Sequence, residues 1–465
     1  MQIKEENQMK KIQFFVALWA TKASQFLMKL LGRNATYLPG KIAVKLCKDF
    51  LAQLTPPKTV VAVTGTNGKT TVSNLISSIL TENGYTITNN SFGSNIQAGV
   101  ISALVEDTTI FGKPKKDIAI LEVDERSSLL VYPLLKPDYV VCNNLMRDSV
   151  KRNAHTEFIS YFINRALPES TKLILNGDDM ITSSLGTLGQ PRVHFGIEAE
   201  KPEVSLPQHI RDIVYCPKCG GVLESEYVRY NHIGRFRCTQ CGHASPAPDY
   251  AITAIDRENN TFTVRHNGQE QTYNLINDNL VNIYNFGAVI ALLTEIGLTH
   301  EQISKGFSQT KIVKTRLDEV TAGDLHITML MAKGLNPVAC ARCYDYVAKA
   351  PGENKAVIVL VDDLHDNIGD SENICWLYDC DYKAFTDPSI NQIIFAGPRC
   401  RDHVVCAQLA GVDMSKVKIV DESSEGASVF DPALSKEIYV LHELYRPEDA
   451  ANVKKALIKM GNQEV

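Results

Sequence analysis

The chain has 465 residues, 44% of them hydrophobic and 22% charged, which is the makeup of a globular protein of about three domains rather than of a disordered or fibrous one. Its 48 Lys plus Arg against 53 Asp plus Glu leave a formal charge of −5, so composition points neither to a nucleic-acid-coating surface nor to a strongly acidic tail. Twelve cysteines in so long a chain exclude a small disulfide scaffold and leave reduced thiols or a metal site.

At the N-terminus, Lys10 and Lys11 precede an apolar stretch from Ile12 to Thr21 that could pass for a signal peptide, but Glu5 and Glu6 stand where positive charge is needed and Lys22 interrupts the run. Ile12, Phe15, Val16, Trp19, Ala23, Phe26, Leu27, Leu30 and Leu31 recur at the three- and four-residue steps of one helix face. This predicts an amphipathic helix docked on the protein, with a targeting or membrane-surface role as the alternative. No later segment reaches the roughly 20 uninterrupted apolar residues that span a bilayer.

The run Thr59 to Thr64 (TVVAVT) is β-branched and uncharged, as a buried parallel strand should be, and leads into Gly65-Thr66-Asn67-Gly68-Lys69-Thr70-Thr71 and then a helical VSNLISSIL. Strand, glycine loop, Lys-Thr and helix form a phosphate-binding arrangement. The glycines let backbone N–H groups approach phosphates, and Lys69 supplies a point charge. A hydroxyl of Thr70 or Thr71 can ligand Mg²⁺, and the helix N-terminus adds its dipole. The loop is shorter at its front than the general G-x-x-x-x-G-K-[ST] pattern, and Thr64 to Thr70 resembles the ATP loop of the Mur ligase superfamily, which builds peptidoglycan stem peptides, and of the folylpolyglutamate synthases.

Asn89-Asn90, Gly93, Asn95 and Gly99 resemble that family's segment after the second strand. Asp117 to Glu125 reads as a buried strand ending in carboxylates, where ligands of such sheets collect and where a carboxylate can hold the Mg²⁺ that bridges ATP phosphates. Glu122 is assigned that role and Glu125 a substrate-facing or supporting one. Tyr139 to Cys142 ends at Asn143-Asn144-Leu145-Met146-Arg147-Asp148, similar to the family's Asn-Leu-x-x-Asp step, and Asn176-Gly177-Asp178-Asp179 to its Asn-x-Asp-Asp step. Asn282-Ile283-Tyr284-Asn285 opens the helix FGAVIALLTEIGL, as the family's Asn-x-x-Asn motif opens one near the nucleotide base; Asn and Asp at a helix start are also ordinary caps.

Within this stretch, Cys216-Pro217-Lys218-Cys219 and Cys238-Thr239-Gln240-Cys241 are paired C-x-x-C knuckles with 18 intervening residues. Four thiolates on two tight turns close a tetrahedral site with no open position, so the zinc they imply is structural. A nucleic-acid-binding ribbon is the rival, but two glutamates among the basic and aromatic residues between the knuckles spoil a phosphate-binding face. Cys340-Ala341-Arg342-Cys343 is a lone C-x-x-C and is read as incidental.

A Mur-type ATP core with a four-cysteine ribbon resembles the branch of the superfamily that forms the synthetase subunits of lipid II isoglutaminyl synthase. Leu38-Pro39-Gly40-Lys41-Ile42-Ala43 resembles that branch's start, and Lys333 with Asn336-Pro337 its Lys-Asn-Pro segment. The resemblance implies an α/β protein: an N-terminal helical segment over 1–54, a central P-loop domain over 55–310 with the zinc ribbon inserted at about 212–246, and a Rossmann-like C-terminal α/β domain over 311–465. It implies ATP and Mg²⁺ as cofactors, with structural Zn²⁺, and places the protein in the cytoplasm, peripheral to the inner face of the membrane. Its activity would be ATP-dependent amidation of the D-glutamate α-carboxyl of the lipid II stem peptide, through an acyl phosphate. The ammonia would come from a GatD-type glutamine amidotransferase subunit. That branch orients its partner's catalytic histidine with an aspartate three residues before a tryptophan. Here that position is Asn373, with Glu372 and Asp370 nearby, so Asn373 acts as the weaker orienter, one of the acids substitutes, or coupling is impaired. The alternatives in function are an amino-acid-adding ligase of Mur or folylpolyglutamate type and a non-catalytic zinc-ribbon adaptor.

Overall fold

The computed structural model describes residues 2–91, 94–147, 155–201, 212–309, 317–332, 334, 336–361, 374–443 and 446–463. Asp370, Glu372 and Asn373, with Gly93, Asp148 and Lys333, lie outside the described residues. The described residues fall into two compact units, the first comprising those up to 309 except Arg147 and His155, the second those two and the residues from 317 onward.

The first unit opens with helices α1 (Gln2–Leu30), α2 (Leu38–Leu46) and α3 (Phe50–Gln53). Strand β1 (Thr59–Thr64) leads into α4 (Lys69–Glu82), and β2 (Ile87–Asn89) into α5 (Gln97–Glu106). There follow β3 (Ile118–Glu122), α6 (Ser128–Leu135), β4 (Tyr139–Cys142), α7 (Thr156–Ala166), β5 (Lys172–Asn176), α8 (Met180–Ser183) and β6 (Arg192–Ile197). A hairpin, β7 (Leu223–Tyr230) and β8 (Ile233–Cys238), precedes β9 (Tyr250–Asp256), β10 (Thr261–His266), β11 (Gln269–Asn274), α9 (Leu280–Ile296) and α10 (His300–Gln309). Nine strands form one sheet in the order β11-β10-β9-β6-β5-β4-β1-β3-β2, parallel from β2 across to β9 and antiparallel through β9, β10 and β11. The chain leaves β1 toward β2 on one side, while β4 leads to β5 on the other. The strand order therefore reverses between β1 and β4, and the crevice outside their C-terminal ends is where such folds bind ligands.

The uncharged runs explain the sheet. Val60, Val61, Ala62 and Val63 of β1 are buried, and so is all of Ile118–Glu122. The Val, Ile and Leu side chains among them each contribute roughly 1.5–3 kcal/mol on burial.

Helix α1 docks on this unit by a different face from the expected one. Phe14, Ala17, Leu18, Thr21 and Gln25 are buried, whereas Ile12, Val16, Trp19, Ala23, Phe26, Leu27, Leu30 and Leu31 are exposed. The reason is steric and polar together. Ala17 and Thr21 are short, and beside them Gln25 Nε2 donates to the Ser102 carbonyl at 2.8 Å and Lys22 Nζ to the Val105 carbonyl at 2.8 Å. These bonds tie α1 to carbonyls in the last turns of α5.

The second unit is a six-stranded sheet. Its elements are β12 (Leu317–Ala322), β13 (Leu325–Met331), α11 (Pro337–Lys349), β14 (Lys355–Leu360), α12 (Cys375–Tyr378), β15 (Ile390–Ala396), α13 (Cys400–Leu409), β16 (Val417–Val420), β17 (Glu437–His442) and α14 (Pro447–Gln463). The strand order is β12-β13-β17-β14-β15-β16, parallel except for the β12–β13 hairpin. The parallel strands β13 to β17 are those of an α/β domain of the kind the resemblance implies, and the β12–β13 hairpin adds an antiparallel pair at the edge. Cys340, of the lone C-x-x-C, is buried within the core of this unit.

Candidate functional site

The phosphate-type loop lies between β1 and α4. Gly65 and Gly68 take φ of +115° and +91°, conformations that favour glycine, and neither position has room for a side chain. A Cβ on Gly65 would stand 2.9 Å from the Asn144 carbonyl oxygen, and one on Gly68 2.3 Å from Asn285 Oδ1. The loop is clasped by the segment after β4. Thr66 N–H donates to the Asn144 carbonyl at 2.8 Å and Asn67 N–H to Asn144 Oδ1 at 3.0 Å. Asn144 Nδ2 returns a bond to the Asn67 carbonyl at 3.1 Å, and Met146 N–H donates to Thr66 Oγ1 at 2.8 Å. The first turn of α4, Lys69 to Thr71, has no intrahelical acceptors for its N–H groups, which makes a helix N-terminus an anion site.

At the end of β3, the Thr70 hydroxyl donates to Glu122 Oε2 at 3.0 Å. Glu122 is itself buried, and its other oxygen, Oε1, has no hydrogen-bond partner. Burial pushes its carboxyl above the ordinary range, against the Thr70 bond and the Lys69 charge. A buried, half-satisfied carboxylate beside a threonine hydroxyl has the donor chemistry of a hard cation site, so Thr70 and Glu122 fit Mg²⁺. Asn90 fixes the strand end: its Oδ1 accepts from Glu122 N–H at 2.8 Å and its Nδ2 donates to the Glu122 carbonyl at 2.9 Å. Lys69 Nζ stands 2.8 Å from Glu125 Oε1 and also donates to the Gly65 carbonyl. Glu125 is thus brought against the loop lysine.

Asn282 and Asn285 lie in the first turns of α9, one helical step apart, and are not its cap. That place belongs to Asn279, whose side chain accepts from Val281 N–H at 3.1 Å. Asn285 Nδ2 donates to Asn282 Oδ1 at 3.2 Å, and Asn143 Nδ2 to Asn285 Oδ1 at 2.5 Å. Asn176 Nδ2 donates to the Asn143 carbonyl at 2.9 Å, which ties the ends of β4 and β5 to α9.

The four knuckle cysteines converge. Their sulfurs all lie within 4.8 Å of one another, with Cys216 Sγ 3.7 Å from Cys241 Sγ and Cys219 Sγ 3.5 Å from Cys238 Sγ. Backbone N–H groups approach them as they do thiolates, from Lys218 to Cys216, Gly221 to Cys219, and Gln240 and Cys241 to Cys238, at 3.4–3.5 Å. The set fits a closed four-thiolate metal site.

The tip of the β7–β8 hairpin is plugged into the end of β5. Gly234 N–H donates to the Asp178 carbonyl at 2.7 Å, and Arg235 pairs with the Asp178 carboxylate at 3.5 Å. His232, buried, has Nε2 3.3 Å from Asp179 Oδ1 and Nδ1 3.3 Å from Asp212 Oδ2, an ion-pair geometry without aligned hydrogen bonds. Burial alone would lower its pKa, but Asp179 and Asp212 outweigh it and raise it to about 10. Asp179 also caps α8 and accepts from Leu145 N–H at 2.9 Å, so the hairpin tip reaches the segment that clasps the phosphate-type loop.

Residues 63–214 match the Mur ligase middle domain family, and residues 334–444 match the MurT ligase C-terminal family. A chain of Staphylococcus aureus (strain COL) named lipid II isoglutaminyl synthase (glutamine-hydrolyzing) subunit MurT is 30% identical over 402 residues, 86% of this chain and 89% of that one. The chain belongs to the MurT family. The MurT of Streptococcus pneumoniae (strain ATCC BAA-255 / R6) is 29% identical over 430 residues, 92% of this chain and 93% of its own. As a Mur ligase family member, this MurT-family chain is an ATP-dependent ligase. Its fold is that of solved ligases: a pseudomurein peptide ligase type C from Methanothermus fervidus has a TM-score of 0.65 at 20% identity, covering 89% of this chain and 81% of that one. MurF from Thermotoga maritima, solved with ADP, has 0.59 at 14%, covering 92% and 85%. Among the described residues no helix is long and apolar enough to cross a membrane.

Gly65 to Thr71, Glu122, Glu125, Asn282 and Asn285 are thus near one crevice, and the cysteines form their own cluster within the same unit. Reasoning from sequence missed Asn90, Asn144, Asp179 and His232 as members of the site's support. Asn90, Asn144 and Asp179 stood in motifs already singled out, but their partners lie 32 to 77 positions away. His232 had no motif at all.

Proposed function

We propose that this chain amidates the α-carboxyl of the D-glutamate in the lipid II stem peptide, giving D-isoglutamine. The observation that carries the proposal is a clasped phosphate-type loop with its lysine and its Thr70–Glu122 pair, in a chain 30% identical over most of its length to a protein named as a lipid II isoglutaminyl synthase subunit. Hydroxide is a poor leaving group, so the carboxyl is first phosphorylated by ATP, and ammonia then displaces phosphate from the acyl phosphate. In this reading Gly65 to Thr71 cradle the phosphates, Lys69 neutralises charge on the outer ones, Asn282 and Asn285 stand toward the base, and Glu125 holds Lys69 ready until nucleotide arrives. Thr70 and Glu122 would hold Mg²⁺, which would supply neutralisation of phosphate charge. The four cysteines hold Zn²⁺ as a structural element.

Residues 55–310 act as the ATP-binding domain and 311–465 as the domain facing a glutaminase subunit of GatD type, with Asn373, Glu372 or Asp370 orienting that partner's histidine. The enzyme works in the cytoplasm at the inner membrane face. Support for a partner is the word "subunit" in the relatives' name. The test is product mass after incubating the chain with ATP, lipid II and either ammonium or an amino acid, then glutamine with the glutaminase. Amidation with ammonium, lost at least about 100-fold in Lys69→Ala, is expected. Addition of an amino acid instead, or ATP-independent behaviour, would overturn the reading.

A further inference from the structure

The ATP crevice makes no use of the outer face of α1. Along it Met9, Ile12, Val16, Trp19, Phe26 and Leu30 follow one helical stripe, and all are exposed: Trp19 at 53%, Phe26 at 64% and neighbouring Leu31 at 72%. The Trp19 indole N–H donates to the Ile110 carbonyl at 3.0 Å, which sets exposed Ile110 and Phe111 alongside and extends the patch beyond the helix. A contiguous apolar surface of this kind marks an interface.

Its charge says which interface. Residues 8–48 contain eight Lys or Arg and no Asp or Glu, in a chain whose formal charge is −5. Lys113 and Lys115, both exposed, follow Phe111. Lys29 pairs with Glu106 at 2.5 Å, and Asp107 is held by the Thr88 hydroxyl. We propose that the outer face of α1, with the Ile110–Phe111 loop, is the docking surface for an anionic lipid bilayer, the helix lying in the plane of the interface. Trp19, Phe26 and Leu30 enter the headgroup boundary, and the exposed Lys11, Lys113 and Lys115 meet lipid phosphates. A second copy of the chain fits less well, because a symmetric contact through this face would bring two acid-free basic segments together.

The inference deepens the reading of a lipid-linked substrate and rests on it for its purpose, but its test contains no lipid II, so either can fail alone. The full chain is mixed with vesicles of phosphatidylcholine alone or of phosphatidylcholine with phosphatidylglycerol and floated. Trp19 emission is followed, the chain's other tryptophan, Trp376, being buried. Flotation with the anionic vesicles only, a blue shift, and weakening with salt are expected. The double variant Phe26→Glu/Leu30→Glu should bind at least about tenfold less while retaining ATP hydrolysis, which reports an intact fold. The proposal is overturned if wild type does not float with anionic vesicles, if the double variant floats equally, or if the substitutions abolish self-association or glutaminase binding while leaving vesicle binding unchanged.

Discussion

At the scale of single residues, Glu122 and His232 are buried charges held for opposite reasons. Glu122 is destabilised by burial and keeps one oxygen without a partner, as a residue does when it is kept for a ligand rather than for the fold. Glu122→Gln is therefore expected to lower Mg²⁺-dependent ATP turnover by about 100-fold or more, while the metal-free protein melts no lower than wild type. Turnover assays and thermal unfolding without added Mg²⁺ check the two halves. His232 is held as a cation by Asp179 and Asp212, its pKa raised to about 10 from an unfolded value near 6.5. A raised histidine contributes stability that is fully present below about pH 6.5 and is lost as pH climbs toward 10. His232→Gln would leave two buried carboxylates without their cation and is expected to cost about 3–5 kcal/mol at pH 6. That deficit should shrink through pH 7 to 10 in thermal unfolding curves, and a pH-independent deficit would contradict it.

Among the elements, the hairpin β7–β8 links two functions that sequence treats as separate. One end carries Cys238 of the cysteine cluster; the other presses His232 and Gly234 against Asp178 and Asp179, and Asp179 holds Leu145 next to the Asn144 clasp. Structural zinc sites of this size stabilise folds that do not persist without metal. With the proposed zinc in the cluster, a chelator of low Mg²⁺ affinity, or Cys238→Ser, should speed amide exchange along Leu223–Tyr230. It should also weaken nucleotide binding several-fold, to be read by hydrogen exchange and by titration calorimetry. Faster exchange with unchanged nucleotide affinity would show that the hairpin tip is only an anchor. Helix α1 teaches a related lesson. Its apolar residues were legible as a periodic face, but the docked face is the neighbouring one, because Ala17 and Thr21 permit close approach and Gln25 and Lys22 reach carbonyls of α5.

For the molecule as a whole, the local motifs were legible because their chemistry is contiguous in the chain. A β-branched strand, two glycines, Lys69 and a helix start define an anion site without any distant partner, and two C-x-x-C turns define a thiolate set. In the second unit the pairing of β12 with β13 at the sheet edge is set by tertiary packing rather than by a local motif. Sequence by itself therefore determined the α/β class, the phosphate-type loop and the cysteine cluster, whose patterns are local and periodic. Only the tertiary structure decided that Asn144 clasps the loop, that Glu125 meets Lys69, that His232 lies between two aspartates, and which face of α1 is left to solvent. Each of those depends on groups 20 to more than 70 positions apart that are brought together by strand order and helix packing, and no spacing along the chain encodes such contacts.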